Sequence, residues 1–315
     1  MISREEFDEY KKTLFSGNDK STYAQKVKNA KIVRYILWGI DALILVLCLA
    51  INLRTRMTSA QEVAVIVVPI FCVVAFVIIT VVTIAYGQSA LYRIVKAKIP
   101  GLLQYMIGEQ LNKFEFDGCV SQWDFKNSGF AGSYDDYAGE DFIDIDIPKD
   151  NGARSGVSFQ ACDLHVTKEE KDDEGNKRDV TVYSGAFCAV NFPFDFKCRL
   201  AINSSPGGVK KIKLEDVAFN RTFQVFTNDK VEALCILTPG MMQKLTKLHA
   251  RTRNVKVSIL DSHMYLGFPS INLFRIGKPK SGTLDESVFD KIYDDVALLL
   301  AIVDEIKRNN KVFKM

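Results

Sequence analysis

The chain has 315 residues, and 41 Lys and Arg against 38 Asp and Glu leave a formal net charge of +3. A charge this balanced argues against a nucleic-acid partner, which favours a strongly basic surface. The sequence contains no glycine-rich dinucleotide or phosphate-binding signature, so no cofactor is expected. Its length is sufficient for one large or two small domains.

Residues 1–34 are rich in charge and are expected to form a helical, cytoplasmic lead-in. Two apolar stretches follow, Tyr35–Leu53 and Val63–Tyr86. Each is close to the roughly 20 apolar residues that a helix needs to cross a bilayer. The sequence therefore predicts two transmembrane helices over residues 35–86, joined by a short external loop.

Basic residues surround the predicted spans on their outer sides, whereas the loop between them contains only Arg54 and Arg56. Loops with an excess of Lys and Arg remain in the cytoplasm, so both termini are expected there. The irregular spacing of the cysteines is typical of reduced cytoplasmic thiols and not of a disulfide framework. The flanking basic residues are Lys20, Lys26, Lys28, Lys31, Arg34, Arg93, Lys96 and Lys98.

One acidic residue, Asp41, lies inside the first predicted span, less than two turns from its cytoplasmic end. A carboxylate inside a membrane is a candidate functional group, such as a proton relay or an interhelical hydrogen bond. At this depth Asp41 could equally reach headgroup water or be protonated. Both interpretations remain open.

Beyond the spans, residues 87–112 predict a helix that leaves the membrane and is interrupted at Pro100-Gly101. From residue 113 to residue 315, alternating apolar and polar residues predict a β-rich cytoplasmic domain. The predicted strands are Phe142–Ile147, Val157–Val166, Asp179–Asn191, Phe194–Ile202, Phe223–Thr227, Val231–Leu237, Val255–Leu260 and Met264–Phe268. Two hairpins are expected. The first pairs Phe223–Thr227 with Val231–Leu237, and the second pairs Val255–Leu260 with Met264–Phe268.

Two helices are predicted in this domain. Thr238-Pro239 combines a good N-cap with a proline at the first helical position. Thr283-x-x-Glu286 is a capping box that begins a long C-terminal helix with a regular apolar stripe. The predicted fold is therefore α+β: a transmembrane helical hairpin, then a β-rich cytoplasmic domain with a long C-terminal helix.

Acidic residues are dense between Asp135 and Asp146. Alternation places Asp144 and Asp146 on one face of a strand, where two carboxylates could hold a hard cation. The solvated face of a half-buried strand explains the same pattern, and that interpretation is favoured, so no metal site is predicted. The three histidines are far apart in the sequence and are not expected to act as ligands or bases.

Several short segments occur in a characteristic order. They begin at Tyr137, Val157, Ser184, Lys213, Asp229, Glu232, Ile236 and Asn272. Their order resembles the bacterial membrane family catalogued as domain of unknown function 3137, and the resemblance covers roughly residues 20 to 275. It implies a bacterial inner-membrane protein with two N-terminal spans and a β-rich cytoplasmic domain, and it implies no activity.

The favoured functional interpretation is a non-enzymatic, membrane-tethered module whose cytoplasmic domain binds a protein partner or a membrane-surface ligand. The candidate binding residues are Glu140, Asp141, Glu215, Asp216 and Asp229. A membrane-surface hydrolase that uses these carboxylates is one alternative. An oligomeric channel or transporter subunit is another, and it would require a homo-oligomer because two spans alone do not enclose a path.

Overall fold

The computed structural model describes residues 1–54, 59–147, 156–171, 175–272 and 286–313. Its elements group into two compact units. The smaller unit contains two long helices, which we call the helical hairpin. The larger unit contains the β-sheet and the last helix, and we call it the sheet domain.

The N-terminal part is helical, as the lead-in predicts: α1 covers Arg4–Leu14, α2 covers Gly17–Arg54 and α3 covers Ser59–Lys96. Helices α2 and α3 are in contact, and the side chain of Trp38 on α2 stacks on Phe76 of α3 with ring centroids 4.7 Å apart. Only residues 55–58, which lie outside the described part of the chain, connect them. The two helices must therefore run antiparallel.

Apolar side chains on α2 and α3 are largely exposed, with Phe71 at 73%. Among the described side chains of α3, only Cys72 and Val95 are buried. Part of each predicted span lies outside the described side chains. Within the part of the chain that is described, we find no helix that combines the length and the apolar character needed to cross a membrane.

The predicted exit helix is interrupted slightly earlier than expected. Helix α3 ends at Lys96, and α4 covers Ile99–Ile107, so Pro100 lies in the first turn of a new helix. Proline is tolerated there because the first turn needs no amide hydrogen bond.

A single antiparallel sheet forms the centre of the sheet domain. Its strands are β1 Leu111–Glu115, β2 Asp136–Ile147, β3 Val157–Lys171, β4 Lys177–Asn191, β5 Leu200–Ile202, β6 Lys210–Ile212, β7 Val225–Thr227, β8 Lys256–Leu260 and β9 His263–Pro269. Within the described residues the order is β1-β2-β3-β4-β9-β8-β5-β7-β6. Every pairing in this order is antiparallel.

Among its described residues, the sheet domain also contains α5 Gln122–Ser128, α6 Val217–Thr222, α7 Lys230–Ile236, α8 Pro239–Thr252 and α9 Asp290–Phe313. Helix α5 places Phe125 in an aromatic core with Phe187 of β4, at a centroid distance of 5.3 Å, and with Tyr265 of β9. Ile302 of α9 lies among apolar side chains of α7, α8 and strands β5, β8 and β9. The two groups form apolar packing on β4 and β9 and on β5, β8 and β9, respectively.

Several predicted elements are confirmed. Strands β3 and β4 contain the predicted strands Val157–Val166 and Asp179–Asn191, and β8 and β9 form the predicted hairpin. The side chain of Thr238 accepts a hydrogen bond from the amide of Met241 and begins α8. Helix α9 buries its apolar stripe and starts at Asp290, after a 3-10 turn. The predicted capping residue Thr283 lies outside the described residues.

The predicted hairpin between Phe223–Thr227 and Val231–Leu237 is wrong, because Lys230–Ile236 is helix α7. The side chain of Asp229 accepts hydrogen bonds from two amides of the first turn and so starts a helix. Strand β7 pairs instead with β5 and β6. The predicted strand Phe194–Ile202 is reduced to Leu200–Ile202.

Candidate functional site

A β-bulge in β2 brings three carboxylates of the sheet domain together. Glu140 is opposite Asp163 of β3, whereas Ile143 is opposite Ala161, so β2 contains one residue more than β3 over this interval. Asp141 lies within the bulge with a φ of 57°, and its amide donates a hydrogen bond of 2.8 Å to the carbonyl of Phe116. An extra residue breaks the strict alternation of side chains between the two faces of a strand.

As a result, the carboxylates of Glu140, Asp141 and Asp163 converge, and each offers an oxygen within 4.8 Å of the others. Asp141 and Asp163 are buried, at 6% and 5% exposed, and Glu140 is exposed. Among the described residues this is the one group of acidic, Cys or His side chains with such a spacing. Carboxylate oxygens could hold a hard cation or accept hydrogen bonds from a basic side chain.

The cluster borders an open cleft of about 340 Å³. Glu140 and Asp163 contribute carboxylates to its wall, and His165 of β3 is exposed there. The other polar lining side chains are those of Ser184 and Asn272. The carboxylates supply hydrogen-bond acceptors for a ligand that carries a positive charge, and Ser184 and Asn272 supply further hydrogen-bonding groups.

The wall formed by β4 depends on a glycine. Gly185 has a φ of 142°, and a Cβ atom there would lie 2.3 Å from the carbonyl oxygen of Phe268. Next to it, the amide of Ser270 donates a hydrogen bond to the carbonyl of Ser184, and the amide of Ala186 donates one to the carbonyl of Ile271. The chain after β9 is thereby held along β4, which brings Asn272 to the cleft.

Sequence reasoning identified Glu140 and Asp141 but missed Asp163, which completes the cluster. A signal for Asp163 exists in the sequence. Asp163 lies directly between the apolar residues Cys162 and Leu164 of a predicted strand, where a charge needs a specific partner. The bulge itself has no such signature, and without it the alternation of β2 suggests Asp144 and Asp146 instead.

The other predicted binding residues are not brought to this cluster. Asp216 is the N-cap of α6 and accepts a hydrogen bond from the amide of Phe219. Asp229 is the N-cap of α7. Glu215 is an exposed side chain next to the first of these caps, and Asp41 lies within α2 of the helical hairpin. Both caps have a structural role that explains the presence of a carboxylate.

The buried thiols are poor candidates for nucleophiles. Burial raises the pKa of the Cys162 thiol to about 12 and that of Cys198 to about 11. Burial also raises the pKa of Cys188 well above its usual value. A thiol must ionise to attack an electrophile, so these side chains act as small apolar residues at neutral pH.

A family model matches the C-terminal part of the chain. Residues 181–308 match the model of a family described as "Protein of unknown function (DUF3137)". This supports the expected resemblance from β4 into α9, whereas the acidic cluster lies before the matched residues. No curated protein is significantly similar to the chain.

One solved structure aligns with the chain, described as the crystal structure of the mycobacterial trehalose monomycolate transport factor A, TtfA. The alignment covers 65% of this chain and 93% of that chain, with 6% sequence identity and a TM-score of 0.33. A likeness at that score supports no argument about fold or function.

Proposed function

We propose that this chain is a non-enzymatic, membrane-tethered binding module of a bacterial inner membrane. The helical hairpin spans the bilayer twice, both termini are cytoplasmic, and the sheet domain binds a protein partner. The exposure of apolar side chains along α2 and α3 is the observation that carries the proposal.

The apolar surface of the hairpin is more extensive than a helix in water sustains. Val46 is 61% exposed on α2, and Ile70 and Val81 are 59% and 60% exposed on α3. Leaving side chains of this size in water costs each about 1.5–3 kcal/mol relative to burying them. A bilayer removes that cost, and 38-residue helices, at roughly 57 Å, are longer than its hydrocarbon core.

In this proposal, the partner binds at the cleft of the sheet domain. The cleft beside Glu140 and Asp163 is negatively charged and is lined by polar groups from three strands. A partner that inserts a lysine or arginine side chain would form charge-assisted hydrogen bonds with these carboxylates. We therefore expect the partner to present a basic residue at its contact surface.

The tether is tested by fractionating cells that express the full chain. Membranes are washed with alkaline carbonate, and a C-terminal tag is treated with protease in spheroplasts and in inverted vesicles. The proposal predicts that the chain stays in the washed membrane and that the tag is cleaved only in inverted vesicles. Release by carbonate, or cleavage in intact spheroplasts, would contradict it.

The partner is tested with a photoreactive amino acid in place of Ser184, which lines the cleft and is exposed. Crosslinking in native membranes should give a discrete protein adduct, and Glu140→Gln should reduce its yield severalfold. Asp146→Asn is the matched control, because Asp146 is exposed on the same strand and does not belong to the described lining of the cleft. An adduct equally reduced by both changes, or no adduct, would refute the binding role.

A further inference from the structure

We propose that α2 carries a binding site for the headgroup of an anionic phospholipid, formed by Lys28, Lys31 and Arg34. The inference rests on the proposed membrane tether and adds the class of lipid that the tether selects. The residues belong to one helix of the hairpin, and no contact with the sheet domain enters the argument.

The three cations lie on one side of the helix together with two aromatic residues. At about 100° per residue, positions 28, 31, 34, 35 and 38 fall within about a third of the helix circumference. Lys28 and Lys31 are exposed, and Arg34 is half-buried. The helix therefore presents a stripe of positive charge that continues directly into Tyr35 and Trp38.

Contacts at the aromatic end position the guanidinium group. The Cζ atom of Arg34 lies 5.6 Å from the ring centroid of Tyr35 and 5.2 Å from that of Trp38. Stacking of this kind orients a guanidinium while leaving it able to donate hydrogen bonds to a phosphate. Tyr and Trp are the residues that favour the boundary between headgroups and acyl chains.

The position along the helix also suits a headgroup. With a rise of 1.5 Å per residue, Arg34 lies about 6 Å and Lys31 about 10 Å from Trp38 along the axis. Each headgroup layer is roughly 5–8 Å thick, and a lysine side chain extends towards the layer that suits its charge. The three cations can thus reach phosphates of a lipid whose acyl chains lie against the apolar part of α2.

The charge of the stripe is not neutralised within the helix. Between Lys20 and Ile40 the sequence contains no acidic residue. Two acidic side chains near this end pair with other lysines. Glu286 lies 2.6 Å from Lys20, and Asp19 lies 3.1 Å from Lys98. In the described part of the chain no carboxylate forms an ion pair with the stripe, so a lipid phosphate is its complement.

Trp38 provides a local reporter for the test. The chain contains two tryptophans, so Trp123→Phe leaves Trp38 as the sole tryptophan, which can be excited selectively at about 295 nm or above, where tyrosine absorbs little. The full chain is reconstituted in phosphatidylcholine vesicles that contain equal amounts of either brominated phosphatidylglycerol or brominated phosphatidylcholine. Bromine quenches tryptophan on contact, and the quenching ratio measures the preference for the anionic lipid at this site.

Phosphatidylglycerol should quench Trp38 more strongly than phosphatidylcholine does. Lys28→Gln, Lys31→Gln and Arg34→Gln together should abolish the preference, since each charge removed weakens the relative association roughly fivefold at low salt. Lys31→Arg keeps the charge and should keep the preference. The control removes three exposed lysines of the sheet domain, Lys210, Lys211 and Lys213, and should change nothing.

The outcomes separate this inference from the proposed tether. If neither brominated lipid quenches Trp38, the helix is outside the bilayer and the tether itself is refuted. If both lipids quench equally, or if the triple variant keeps the preference, the tether stands and the lipid site is refuted. A preference that the triple variant loses and the control retains supports the site.

Discussion

Helices α3 and α9 are both long, but they use apolar residues in opposite ways. Helix α9 has 24 residues, and its apolar stripe, which includes Ile292, Leu299 and Ile302, is buried against the sheet domain. Helix α3 has 38 residues, and most of its described apolar side chains are exposed, including Ile70 and Phe71. Apolar content alone therefore does not distinguish a helix whose apolar side chains are buried from one whose apolar side chains are exposed.

The two helices differ in the spacing of their apolar and polar residues. Polar residues of α9 lie off the apolar stripe and have defined partners, such as Asp290 and Asp294 with Arg4 and Glu305 with Lys244. Between Val67 and Ile84, helix α3 has no charged residue, and its two threonines, Thr80 and Thr83, donate hydrogen bonds to backbone carbonyls of the same helix. A helix of the second kind is expected either deep inside a large protein or in a membrane.

The comparison is tested most strongly by the same substitution in both helices. Ile302 is fully buried and Ile70 is 59% exposed. Ile302→Ala should destabilise the sheet domain by about 2–5 kcal/mol, because it leaves a cavity among packed side chains. Ile70→Ala should change the stability of that domain by less than about 0.5 kcal/mol.

Both values can be measured by urea unfolding of the full chain in detergent. Trp38→Phe leaves Trp123 on α5 as the reporter of the sheet domain. Equal destabilisation by the two alanine variants would show that the exposed face of α3 is covered by packing of the same kind as α9, and the contrast between the helices would fail.

A smaller effect is expected where a carboxylate starts a helix. The carboxylate of Asp229 accepts hydrogen bonds from the amides of Val231 and Glu232, 2.9 Å and 3.2 Å away. Asp229→Ala should lower the free energy of unfolding by about 0.5–2 kcal/mol, whereas Glu215→Ala, an exposed side chain that caps no helix, should have little effect. A stable Asp229→Ala variant that instead loses its crosslinked partner would assign this residue a binding role.

The sequence predicted most of the sheet domain because its strands and helices carry local signals. Alternation identified β3 and β4, and Thr238-Pro239 identified the start of α8. The prediction failed at α7, where Val231, Leu234 and Ile236 look like a strand although the first is 74% exposed. The three residues after Thr227, Asn228 to Lys230, suggested a hairpin turn. In the structure Asp229, the middle one, is the N-cap of α7.

Only part of the candidate site could be predicted, because its residues are brought together by strand register and not by local sequence signals. Glu140 and Asp141 stand out as acidic residues, but their meeting with Asp163 depends on the register between β2 and β3. Register shifts at a bulge come from tertiary packing and leave no composition signal. The contribution of Asn272 is also nonlocal, since it requires the chain after β9 to lie along β4.

The smallest effect concerns the polar side of α9. Burial raises the pKa of Asp295, against the opposing effect of Arg251, whose guanidinium lies 2.8 Å away. The folded protein then holds this proton at pH values where the unfolded chain has released it, so the stability that Asp295 contributes is greatest at low pH and is lost as the pH rises through its folded pKa. Unfolding measured from acidic to neutral pH should show the free energy of the parent falling relative to Asp295→Asn, by less than about 1 kcal/mol. The opposite slope would mean that the ion pair with Arg251 outweighs burial, and α9 would then be stabilised on its polar side by charge as well as on its apolar side by packing.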